Sequence, residues 1–172
     1  IFCKDSIYRL AGSSAADFVL QPVTRNIGCS SRFSIQEIGG DLIYLAPDGL
    51  RTIAGTEKIG DTELGTISKQ VQARLITLNE GQINNISSHV IRGKSQYRIY
   101  YPSTTATEAN STGLMAVLKR SGDTGQIGWE YADLKGIKPL CATHGNISNQ
   151  DIILHGDYDG GYVYQQENAN TF

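Results

Sequence analysis

The chain offers few side chains that could do chemistry, and none stands in an arrangement that chemistry requires. Its histidines are His89, His144 and His155. No HxxxH or HExxH spacing joins them, so the helical zinc-protease pattern is absent. A metal site would need the fold to bring two of them together, and the plainer expectation is surface or lightly buried histidines. The run Asp157-Tyr158-Asp159-Gly160-Gly161 resembles the start of a calcium loop. The residues that follow, Tyr162-Val163-Tyr164, are strand formers rather than oxygen ligands, and a hairpin turn is the better reading. Glu57, Asp61 and Glu63 form a small acidic cluster. Paired carboxylates serve acid–base chemistry when buried, but acidic residues ahead of a helix also favour its dipole, and the second use is expected. No Gly-x-Ser-x-Gly elbow, P-loop or GxGxxG turn occurs. The sequence therefore assigns no catalytic, cofactor-binding or metal residue, and a non-enzymatic role is expected.

The three cysteines, Cys3, Cys29 and Cys141, lack CxxC spacing, which argues against a disulfide framework or a zinc knuckle. They read as small apolar side chains buried in a reducing compartment. Nine tyrosines are present. Trp129 and Tyr131 alternate along one strand face and could form a stacking platform for a sugar or base, although packing between sheets is the commoner use. No apolar run reaches the length of about 20 residues that spans a bilayer.

The elements that would carry these residues are strands. In 172 residues there are 19 glycines and only 19% charged residues, a composition that suits strands and turns over helices. Net charge is −2, without the basic excess that gripping duplex DNA demands. Asp41–Ala46, the turn Pro47-Asp48-Gly49 and Leu50–Ala54 predict a hairpin, with Gly49 at a positive φ. Asp151–His155 and Tyr162–Gln166 predict another. So do Ile1–Cys3 with Ile7–Leu10, and Gln96–Tyr101 with Leu114–Leu118 across a polar loop from Ser103 to Gly113. The four hairpins, near 1–11, 41–54, 95–119 and 151–166, recur roughly every 45 to 60 residues. Further strands are expected at Phe18–Arg25, Arg32–Ile38, His89–Arg92 and Gln126–Tyr131. About four strands per repeat is the mark of a β-propeller blade. The predicted fold is all-β: antiparallel four-stranded blades, more than a third of residues in strands, with residues 1–172 forming part of one propeller domain of a larger protein. One helix is expected near 64–78, where Leu64, Ile67, Val71, Leu75 and Leu78 mark a single face. That helix and the Ser103–Gly113 loop are the expected contact elements, with Lys69 and Arg74 on the helix surface.

The stretch from Gly40-Asp41-Leu42-Ile43-Tyr44-Leu45-Ala46-Pro47-Asp48-Gly49-Leu50-Arg51 through Ile59–Ser68 resembles the propeller repeat of tail nozzle proteins of short-tailed bacteriophages, also called tail tubular protein B. Lys94–Arg98 and His155–Gly160 are similar to later repeats of that family. The resemblance covers most of the chain and rests on structural motifs. It implies a virion protein assembled in the host cytoplasm into a ring, commonly a hexamer, that conducts the genome during ejection. The implied partners are copies of itself, the tail adaptor, tail fibres and transiting double-stranded DNA without specific binding. A carbohydrate- or peptide-binding propeller used in receptor recognition is the competing expectation, and it predicts an exposed platform around Trp129 and Tyr131.

Overall fold

A computed structural model of the chain describes residues 1–59, 66–75, 78, 80–102, 112–120, 127–134, 137–157 and 160–167. Over the described residues the protein is mostly β, 55% strand against 17% helix, in four antiparallel sheets. That exceeds the third expected from sequence. The chain divides into two compact units, Ile1–Gln72 and Ala73–Phe172.

In the first unit, β1 (Ile7–Ala11) pairs with β2 (Val19–Thr24). The hairpin expected over 1–11 is present with a short first arm: Phe2 bridges Ile7 antiparallel and Cys3 N–H donates to Ser6 O at 2.9 Å across the turn. The longer ladder of β1 lies on its other side, where β2 offers pairings from Ile7↔Thr24 to Ala11↔Val19. The amino-terminal arm is nonetheless tied down. Tyr8 N–H donates to Ile1 O at 2.9 Å and Cys29 N–H to Cys3 O at 2.8 Å. At Gly28 the arm passes so close that an added Cβ would meet Cys3 O and Lys4 C at 2.3 Å.

A meander follows: β3 (Gln36–Ile38), β4 (Asp41–Ala46) and β5 (Gly49–Thr52). The strand expected at Arg32–Ile38 begins only at Gln36. Arg32–Ser34 is a 3₁₀ turn, because Ser31 Oγ accepts from Phe33 N–H and Ser34 Oγ donates to Ser31 O at 2.6 Å while accepting from Leu45 N–H. Such local side-chain bonds compete with a ladder. The return strand expected to reach Ala54 stops at Thr52, and α1 (Ile53–Ile59) starts there. Thr52 Oγ1 accepts from Gly55 N–H at 3.1 Å and the Asp41 carboxylate accepts from Ala54 N–H, which satisfies donors a helix start leaves free. Ile7, Tyr44 and Ala46 form the core, packed by Phe2, Val23, Ile27, Cys29, Ile35 and Ile53. Phe2 meets Tyr44 edge-on, and the Tyr44 hydroxyl bonds Thr56 Oγ1 at 3.0 Å.

The single helix expected over 64–78 does not form as one element. Leu64 lies outside the described residues. Thr66 bridges Arg51, Ile67 N–H donates to Leu50 O, and Ser68 Oγ accepts from Leu50 N–H. The backbone of 66–68 thus extends the β3–β5 sheet by one more pairing, and among the described residues of this stretch helix is a 3₁₀ turn at Lys69–Val71 followed by α2 (Gln72–Leu75). Further 3₁₀ turns, at Glu80–Asn85 and Arg92–Lys94, were not anticipated.

Arg51 anchors this sheet. It is 0% exposed, and Asp48 in the β4–β5 turn grips it: Nη2 donates to Oδ2 at 2.6 Å and Nε to Oδ1 at 3.0 Å. Thr66 Oγ1 donates to the same carboxylate at 2.9 Å.

The second unit holds two meanders. The first is β6 (Ser87–Ile91), β7 (Gln96–Tyr101), β8 (Thr112–Arg120) and β9 (Ile127–Leu134). It realises the 95–119 hairpin as β7–β8, with Tyr101↔Thr112 and Gln96↔Val117 in register. Most of the loop named above, residues 103–111, lies outside the described residues. The second meander is β10 (Pro139–Ile147), β11 (Gln150–Asp157) and β12 (Val163–Gln166). β10 was not foreseen, since Pro, Gly and Asn in its sequence argue against a strand. Among the described residues, only the β6–β9 sheet carries the four strands expected of every blade; the other sheets carry two, three and three.

Two outcomes follow for stability. Gly49 sits at φ +129° directly after the two-residue turn, so Gly49→Val should cost about 1–3 kcal/mol, read from urea denaturation. Asp48→Ala removes the carboxylate paired with a fully buried guanidinium and should cost about 3–5 kcal/mol. In the native chain, burial raises the Asp48 carboxyl but the Arg51 and Thr66 bonds outweigh it and hold it below its ordinary value. Its contribution is therefore complete above the usual carboxylate range and lost as pH falls below it.

Candidate functional site

Register sorts the residues of the β6–β9 sheet onto two faces. Val90, Tyr97, Ile99, Leu114, Ala116, Leu118, Trp129 and Tyr131 share one, since Val90 pairs with Tyr97, Ile99 with Leu114, Ala116 with Tyr131 and Leu118 with Trp129. Trp129 and Tyr131 are half-buried there. Burial pushes the Tyr131 hydroxyl pKa up. Arg74 ion-pairs with Asp133, and the Tyr101 hydroxyl donates to Arg74 O at 3.3 Å. Arg74 is thus committed within its own unit, while Lys69 is exposed.

The opposite face is polar and covered. His89 on β6 stands opposite Arg98 on β7, and both are buried. Sheet β10–β12 meets this face. Its Gln166 Oε1 accepts from Arg98 Nη1 at 3.1 Å and from the Tyr100 hydroxyl at 3.0 Å, and its Nε2 lies 3.2 Å from His155 Nδ1. Glu167 ion-pairs with Arg98 and with Lys94. Gln96 Oε1 accepts from Arg98 Nη2 at 2.8 Å. His155 stacks on Tyr164 at 5.5 Å between centroids, and His89 leans on Tyr100 at 5.8 Å. At the adjoining edges, the Ser87 hydroxyl bonds both the N–H and the C=O of Ala142.

The three histidines therefore converge on one seam, which their sequence spacing did not reveal. His89 and His155 are buried, deeper than the surface or lightly buried placement expected, and His144 is half-buried and bonded to Asp151 at 3.2 Å. Among the described residues no set of three His, Cys, Asp or Glu side chains is placed to hold a metal ion. Among the described residues, neither ring nitrogen of His89 has a hydrogen-bond partner, and neither does Arg98 Nε. Burial, then the Arg98 guanidinium and His144, push the His89 pKa down to about 4 against the opposing pull of Glu167.

The remaining candidates are scattered. Glu57 lies inside α1, not ahead of a helix, and pairs with Arg9 at 3.0 Å on an exposed surface; Asp61 and Glu63 lie outside the described residues. Asp157 closes the β11–β12 turn, accepting from Gly160 N–H at 3.1 Å. Cys3 and Cys141 are exposed, against expectation, and only Cys29 is half-buried, donating to Ser31 O at 3.1 Å. The seam can bind protons and hold two sheets together. No protein-family model matches the chain, and no curated protein matches it.

The His89 environment predicts acid sensitivity. A histidine whose folded pKa lies below its unfolded value supports folding fully above the unfolded pKa and loses that support as pH falls toward the folded one. The window runs from about 6.5 down to about 4, and the loss across it is about 3 kcal/mol. His89→Leu should flatten stability across this window in urea titrations at stepped pH; an undiminished slope would contradict the assignment.

Proposed function

We propose that the chain is a structural virion component of the nozzle at the end of a short bacteriophage tail, one that assembles as a ring and conducts the genome. The observation that carries the reading is the run of antiparallel meanders in strict chain order, β3–β4–β5, β6–β7–β8–β9 and β10–β11–β12, the connectivity of propeller blades. The sequence resemblance adds to it. The Gly40–Arg51 stretch is the β4–turn–β5 hairpin with its buried Arg51–Asp48 pair, Lys94–Arg98 opens β7 with the seam arginine, and His155–Gly160 ends β11 at the turn. These are the positions that hold sheets to turns and to each other, as repeat-defining residues should. A rigid conduit needs such sheets, and a net charge of −2 discourages adhesion of DNA phosphates. Blade closure into a propeller, hexameric assembly, contact with the adaptor and tail fibres, and placement in the virion all belong to this proposal.

A second reading, a carbohydrate- or peptide-binding propeller, draws on one observation. Tyr162 and Tyr164 are 65% and 46% exposed and meet edge-on at 6.2 Å. A glycan array separates the two, because a conduit gives no specific hit.

The decisive experiment purifies tailed particles and asks, by mass spectrometry and electron microscopy, whether the full protein is present in a ring at the tail tip. Its absence from particles sinks the nozzle reading. Lys69→Glu then tests the α2 region as a contact, since charge reversal in an interface costs several kcal/mol and on a free surface little. Ring yield should fall. Arg74 is unsuitable for this purpose because its reversal breaks the pair with Asp133.

A further inference from the structure

We infer that β12 is fastened to the β6–β9 sheet by a proton-sensitive latch, in which protonation of His155 forces the Gln166 amide out of its bonds to Arg98 and Tyr100. The argument is one of donors and acceptors. A guanidinium only donates, so the Gln166 atom facing Arg98 Nη1 must be the amide oxygen. That oxygen also accepts from Tyr100. The amide NH₂ is then obliged to face His155 Nδ1, which works only while Nδ1 is a bare acceptor and the ring proton sits on Nε2. Once His155 is charged, both of its nitrogens are donors, and N–H meets N–H₂. Turning the amide over satisfies His155 but sets NH₂ against the guanidinium, which cannot give up a proton. No orientation of Gln166 serves both sides, so one contact is lost.

The surroundings bias the outcome toward release of β12. This strand is only four residues long, pairs with β11 from Gly156↔Val163 to Ile153↔Gln166, and is largely exposed, the profile of a segment that opens below the global unfolding free energy. His155 is stacked on Tyr164 of the same strand, so a shift of the ring is felt there directly. His89, buried opposite Arg98 without a partner at either nitrogen, adds a second positive charge beside the guanidinium when it protonates. Two groups resist. Asp157 favours the charged form of His155, and Glu167, ionised through its pairs with Lys94 and Arg98, keeps a tether on the far end of β12. His144 is occupied by Asp151. The latch therefore opens at Gln166 while Glu167 holds, a local loosening with the four-stranded sheet left intact.

Hydrogen exchange of the 172-residue chain, followed by mass spectrometry at about pH 7.5 and about pH 5 and corrected for intrinsic exchange rates, reads this directly. Protection across 163–166 should fall in acid about tenfold or more beyond the loss that His89 imposes on β7 and β8. Gln166→Glu supplies oxygens to Arg98, Tyr100 and a charged His155 together, so the acid loosening should vanish or reverse. His155→Phe keeps the stack on Tyr164 but carries no proton, and β12 should then lose no more protection in acid than β7 and β8. Protection of 163–166 that ignores pH in the unaltered chain overturns the latch. So does acid loosening that persists in Gln166→Glu, or a loss of protection that spreads evenly through β6–β12.

Discussion

A guanidinium removed from water must find an anion and enough acceptors, and this requirement organises both units. Arg51 and Arg98 are 0% and 2% exposed. Each is answered by a carboxylate delivered from a turn or strand end: Asp48 from the β4–β5 turn, Glu167 from just beyond β12. Isolating either charge would cost more than the hydrophobic contacts around it supply. The position of the carboxylate is therefore forced, and with it the geometry of the segment that carries it. In the first unit this fixes the turn on which β4 and β5 hang, and Thr66 joins the same carboxylate to bring residues 66–68 alongside β5. In the second it fixes which end of the β10–β12 sheet meets β7.

The two buried arginines differ in what completes their shell. Arg51 is held by Asp48 in a compact fork that neutral pH leaves undisturbed. Arg98 shares its donors among Gln96, Gln166 and Glu167 while its Nε finds none. The seam is consequently less saturated than the turn. Neutral His89 and His155 are tolerated there because they add no charge, which makes the seam's integrity conditional on proton activity where the turn's is not.

Local signals were legible and long-range ones were not. Pro47-Asp48-Gly49 announced its hairpin because proline and glycine set turn torsions by themselves. The β7–β8 pairing was readable from apolar and aromatic density in Gln96–Tyr101 and Leu114–Leu118. The apolar spacing from Leu64 to Leu78 suggested a helix, yet Thr66 and Ser68 had partners on β5 that no period could disclose. Thr52, a good helix cap, was the overlooked sign of α1. β10 was invisible because its strand character comes from pairing with β11, not from its own residues. The seam joins Arg98 to Gln166 across 68 positions, and nothing near either residue hints at the other.

Position 28 carries a constraint of a different kind. Its backbone torsions are open to any residue, and Asn26-Ile27-Gly28 looks like an ordinary loop. Yet the space where a side chain would begin is already filled by the main chain of Cys3 and Lys4, which cannot retreat as a flexible side chain would. The vocabulary at this site is a single letter, and what enforces it is written at the other end of a long detour of the chain. Among relatives of this protein, a glycine held fixed here would report that the amino-terminal arm is docked in them as well, and its replacement would date the loss of that arm.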